Sequence, residues 1–119
     1  MAFAMTTLGT IAAAKAAVSP LSGAWQLHAT GSQFQSGTLH LRQKGTTVVG
    51  YYESKIGTTQ MSGKLVNDQL SGTWRDPTGE SGWLTLNFSE TGNSFDGEWG
   101  YHGRQPEGKM VGRLMIRTP

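Results

Sequence analysis

LSGTW, residues Leu70 to Trp74, sets the reading of the whole chain. An apolar residue is followed two places on by glycine, and two places later by a large apolar side chain. The same frame returns in LSGAW (Leu21 to Trp25), VVGYY (Val48 to Tyr52), MSGKL (Met61 to Leu65), FDGEW (Phe95 to Trp99) and MVGRL (Met110 to Leu114). A period of two is the signature of a strand with one buried face. Leu70, Gly72 and Trp74 therefore share a face, and Ser71, Thr73 and Arg75 take the other. Glycine is a poor strand former, so its place beside the largest side chains needs a reason. An inward glycine lets a strand bend and leaves room for a ring from a neighbouring strand.

Outward from this stretch the period-two pattern continues, with candidate strands at 21–28, 37–43, 47–54, 59–66, 69–75, 81–89, 94–101 and 109–117. Turn residues separate them: Lys44-Gly45, Asn67-Asp68, Asp76 to Gly79, Thr91 to Asn93 and Gly103 to Pro106. No connection is long enough for a crossover helix, so sequence neighbours should pair antiparallel. An up-and-down barrel and a sandwich both satisfy this pattern. Closure removes exposed edges, which favours an eight-stranded antiparallel barrel, and a barrel of that size holds either side chains or one small ligand.

The 119 residues make one domain, residues 21–119, preceded by an extension over 1–20. Thr6 or Thr7 as N-cap and Ser19-Pro20 as a stop predict a short helix from Leu8 to Ala17. The alanine-rich extension lacks a basic start, and Lys15 interrupts it, so it reads as a poor signal peptide. Cysteine is absent, which excludes disulfides and thiolate chemistry and leaves a secreted, periplasmic or cytoplasmic location equally open. The formal charge is +2 with no run of Lys or Arg, which argues against a nucleic-acid partner. No apolar run reaches the length of a transmembrane helix.

At VVGYYES, with Lys55-Ile56-Gly57 after it, the sequence resembles the avidin and streptavidin family. SGAW followed by Gly31-Ser32, the order Trp25, Trp74, Trp83, Trp99, and MVG near the end are similar to that family too. The resemblance spans Leu21 to Arg117 and rests on motifs of two to five residues. It implies a meander barrel around one small ligand. Ser32, Tyr52 and Ser54 would then meet a ureido-type oxygen, Trp74 and Trp99 would wall an apolar box, and Ser81 would lie near the ligand ring. Where the family carries an asparagine this chain has Gln26 or Leu27, and where it carries an acid or amide it has Leu114. The implied site is avidin-like but lacks the acceptors for biotin itself. The resemblance implies Trp83 inside; the phase of Gly82, Leu84, Leu86 and Phe88 instead expects it outside or at a rim.

His28, His40 and His102 have no metal-like spacing, no glycine-rich loop opens a helix, and Asp96 with Glu98 forms a solvated face. The expectation is therefore a non-enzymatic binder of the avidin or lipocalin type, with no cofactor and a small apolar or biotin-like ligand. Val49, Tyr51 and Met115 fall on outward phases, while Met110, Gly112, Leu114 and Ile116 fall inward. Outward apolar groups mark interfaces, so the alternative is a structural subunit that self-associates or docks to a larger assembly through its N-terminal helix and these outward residues.

Overall fold

The computed structural model describes residues 20–31, 35–55 and 57–118. The expected helix from Leu8 to Ala17 lies outside the described residues, and no helix occurs among them. Eight strands run in sequence order: β1 (Gly23–Ala29), β2 (Gln35–Lys44), β3 (Thr47–Ser54), β4 (Gly57–Val66), β5 (Gln69–Arg75), β6 (Ser81–Phe88), β7 (Ser94–Tyr101) and β8 (Pro106–Arg117). Each pairs antiparallel with its neighbour, and β1 pairs with β8, so the sheet closes into a barrel with no free edge.

The turns are those the sequence marks. β4 and β5 are joined by Asn67 and Asp68 alone, with Asn67 in the left-handed region at φ 57°. Gly45 does the same between β2 and β3 at φ 63°. The β5–β6 connection is tied by Asp76. Its Oδ1 accepts from the Thr78 backbone N–H at 2.9 Å, the Thr78 hydroxyl at 2.6 Å and the Glu80 N–H at 3.1 Å.

The repeated glycine frame has a packing cause. Gly72 of LSGTW faces Gly63 across the β4–β5 ladder, and a Cβ on Gly72 would lie 2.9 Å from the Gly63 Cα. Side chains there would force the strands apart. Elsewhere the glycines sit under rings: the Phe95 ring lies over its partner Gly112, and a Cβ on Gly82 would meet the Trp74 ring at 2.9 Å. Outside the barrel, Trp83 covers Gly100, whose Cβ would meet that ring at 2.8 Å. Gly82, Leu84, Leu86 and Phe88 are buried and Trp83 alternates with them, so Trp83 lies on the outer face, as the phase expects.

One phase expectation fails. Ile116 is 63% exposed rather than inward. Trp25 pairs with Leu114 and Ala24 with Ile116, so Met115 is an extra residue on β8. A bulge of this kind reverses the side-chain phase beyond it. Arg117 takes the inward-facing register opposite Gly23, and its guanidinium donates to the Pro20 carbonyl and to Asn93 Oδ1.

The interior is divided along the barrel axis. At the end that holds the β2–β3, β4–β5 and β6–β7 turns, Leu21, Trp25, Val48 and Leu70 have no exposed surface. Trp25 packs on Phe88 and Phe95 with ring centroids 5.4 Å away in both cases. Its indole N–H donates to the Leu21 carbonyl at 3.0 Å, so this end is filled and its polar group satisfied.

Candidate functional site

The other end is not filled. A cavity of about 350 Å3 opens there, between the ends of β1, β3, β5 and β7 and the starts of β2, β4, β6 and β8. That volume lies in the range of small-molecule sites. The strand frame builds its walls. Leu27, Ala29, Leu39, Leu84 and Leu86 are the buried aliphatic positions that line it. Trp74, Trp99 and Tyr101 form a corner of mutually perpendicular rings, with centroids 5.6–5.8 Å apart and interplanar angles of 67–77°. Tyr52 of β3 and Met61 of β4, the latter paired with Trp74, continue the wall, and Asp76, Thr78 and Glu80 of the β5–β6 connection also line it.

Both indole N–H groups of the wall are used internally. The Trp74 indole N–H is shared between the carbonyls of Trp83 and Gly100, each at 3.2 Å. The Trp99 N–H donates to the Thr30 carbonyl at 2.8 Å. Among the described residues, the Tyr52 hydroxyl is the buried side-chain polar atom without a hydrogen-bond partner. Tyr52 is 8% exposed. A hydroxyl buried without a partner costs on the order of 1–3 kcal/mol; the Tyr52 side chain borders the cavity, while its hydroxyl has almost no accessible surface. Burial pushes the Tyr52 hydroxyl above the ordinary tyrosine range, so it is protonated and can donate.

Of the six residues singled out in the sequence, the structure brings Tyr52, Trp74 and Trp99 together around the cavity. Ser32 lies outside the described residues. Ser54 shares the phase of Tyr52 but is the last residue of β3, paired with Gly57, and does not line the cavity. Ser81 pairs with Arg75 and takes the phase of Trp83, so it sits on the outer side of β6. The sequence reading missed Leu27, Leu39, Leu84, Leu86, Met61 and Tyr101 as cavity walls. Their inward phase was visible, but nothing in it separates a wall from a filler. It also missed Asp76, read only as a turn residue, and Glu80, which was given no role.

At the positions where the avidin resemblance expects ureido acceptors, Gln26 points outward and is exposed, Leu27 lines the cavity and Leu114 is a half-buried apolar group. Among the described residues no cluster of His, Asp and Glu could hold a metal ion, and no helix is long and apolar enough to cross a membrane. The fold and the cavity define the class as a closed eight-stranded antiparallel barrel, filled at one end and hollow at the other. No protein-family model matches the chain, and no curated protein matches it.

Proposed function

We propose that this chain is a non-enzymatic, avidin-like barrel that binds a small ring-containing ligand in the open-end cavity. The observation that carries the reading is the open-end cavity of about 350 Å3, walled by the rings of Tyr52, Trp74, Trp99 and Tyr101 and by aliphatic side chains. The rings of Tyr52, Trp74, Trp99 and Tyr101 supply the apolar contact. Biotin itself is a poor fit, because Leu27 and Leu114 offer no acceptor to ureido N–H groups. The test is a thermal shift with tryptophan fluorescence against biotin and a panel of small apolar ring compounds. A ligand at one hundred times its Kd stabilises the barrel by about 2.7 kcal/mol and changes the Trp74 and Trp99 emission. A panel that moves neither signal rejects the reading.

A second reading rests on the outer surface. Val49, Tyr51, Val111, Met115 and Ile116 are 42–63% exposed, an apolar content suited to self-association. Tyr51 stacks on His40 with centroids 4.5 Å apart, which presents a flat aromatic face outward. Sedimentation of the full chain and of Tyr51→Lys and Met115→Lys tests this. A monomer at every concentration rejects it.

A further inference from the structure

The filled end is closed by residues that belong to no strand. Pro20, Leu21 and Ser22 precede β1, and Leu21 is fully buried in the core. Their contacts come from both sides of β1. On the β2 side, the Leu21 N–H donates to the Gln43 side-chain carbonyl at 2.9 Å, and the Gln43 N–H donates to the Ser22 hydroxyl at 2.8 Å. On the β8 side, the Thr118 N–H donates to the Ser22 carbonyl at 3.0 Å. The Arg117 guanidinium donates to the Pro20 carbonyl and, at 2.8 Å, to Asn93 Oδ1 in the β6–β7 connection. Trp25 adds its indole N–H, which reaches the Leu21 carbonyl at 3.0 Å.

The bulge at Met115 serves this arrangement. In a regular β8, Ile116 would face Gly23 and Arg117 would point outward. The extra residue turns Arg117 inward, where its guanidinium meets both Pro20 and Asn93.

Strap and ladders are fastened differently. Each strand pairs with two neighbours, so no strand leaves without breaking two ladders. Pairing of β1 begins at Gly23, and Pro20 to Ser22 lie beyond it. Lifting these three residues uncovers Leu21 and parts the Gln43, Arg117 and Thr118 contacts, but no paired strand has to move.

We infer that Pro20, Leu21 and Ser22 form a clasp with an opening of its own. When it lifts, Leu21 leaves the filled end and Trp25 is exposed, while all eight strands stay paired. Gln43 and Arg117 are the side chains that hold it shut. The clasp gives the chain before Pro20 a means of covering or exposing Trp25, independently of the cavity at the other end.

The test is hydrogen exchange of the full chain, followed by NMR. The Leu21 amide and the Trp25 indole proton should exchange together, at least about tenfold faster than the amides of β5 and β6. Low urea should leave this pair unchanged while it speeds the β5 and β6 amides, because clasp opening exposes little surface and global unfolding exposes much. Arg117→Met should speed the pair by about tenfold or more, as the loss of a charged hydrogen-bond donor does. Leu86→Ala, at the far end of the barrel, should speed the ladder amides and leave the pair as it is. Exchange of Leu21 and Trp25 that follows urea and Leu86→Ala as the ladder does would mean that the clasp opens only with the barrel, and overturns the inference. Exchange in Arg117→Met equal to the parent would take the guanidinium out of the clasp and overturn it as well.

Discussion

The two ends of the barrel are made from the same strand frame and do different things with it. At the filled end, Trp25, Phe88 and Phe95 pack into one another with centroids 5.2–5.4 Å apart, and Leu21 closes over them. At the open end, Trp74, Trp99 and Tyr101 meet at right angles and leave about 350 Å3 in front of them. The indole N–H groups follow the same division. Trp25 bonds a carbonyl four residues back, whereas Trp74 reaches the Gly100 carbonyl across two strands and Trp99 reaches Thr30 across the barrel seam. One end therefore supplies cohesion. The other holds its rings around an open space, the arrangement the proposed ligand site would need.

The sharpest way to break this comparison is truncation at both ends. Trp25→Ala should cost about 3–5 kcal/mol in denaturant unfolding, as a fully buried ring does. Trp74→Ala should cost at least about 1 kcal/mol less, since one side of its ring already borders empty space and loses fewer contacts. Equal losses would mean that the cavity contributes nothing to the difference between the ends.

Enlargement probes the same contrast from the opposite side. Leu70→Phe at the filled end has no room and should cost about 1–3 kcal/mol. Leu84→Phe projects into the cavity, and its stability should change by less than about 1 kcal/mol, while the ligand binding proposed above should be lost. Thermal unfolding of the two variants side by side checks this, and a Leu84→Phe as damaged as Leu70→Phe would show the open end to be closed in solution.

The smallest effect concerns Tyr52. Tyr52→Phe removes a buried hydroxyl that has no partner, so ligand-free stability near neutral pH should rise by about 1 kcal/mol. The sign of its pH dependence follows from burial. The folded protein holds the Tyr52 proton more tightly than the unfolded chain, whose ordinary value is near 10.0. Above that value the unfolded chain binds fewer protons than the native state, so stability falls as pH rises. Urea midpoints from neutral to strongly alkaline pH should drop more steeply in the parent than in Tyr52→Phe. Parallel curves would place the hydroxyl in contact with water.

Much of the barrel was legible in the chain. The frame in LSGTW, repeated from Leu21 to Leu114, marks which side chains face in, and Asn67-Asp68 and Lys44-Gly45 mark where the chain turns. The phase of β6 was enough to place Trp83 outside against the resemblance. The site was less legible. Tyr52, Trp74 and Trp99 could be named from their inward phase and from similar motifs, but Ser54 and Ser81 could not be separated from them until the strand ends and pairings were known. Ile116 was misplaced because the bulge at Met115 depends on how β8 meets β1, and no residue in β8 announces it.

The sequence by itself determined the strand alternation, the turns and the glycines that let rings and strands approach, because these depend on neighbours one to four residues away. Only the tertiary structure decided which end is full and which is hollow. That outcome depends on side chains arriving from eight strands at once. Val48 and Tyr52 belong to one strand and one phase, yet Val48 is sealed in the filled end and Tyr52 stands in the wall of the cavity. The difference lies in what the other strands bring to each level of the barrel.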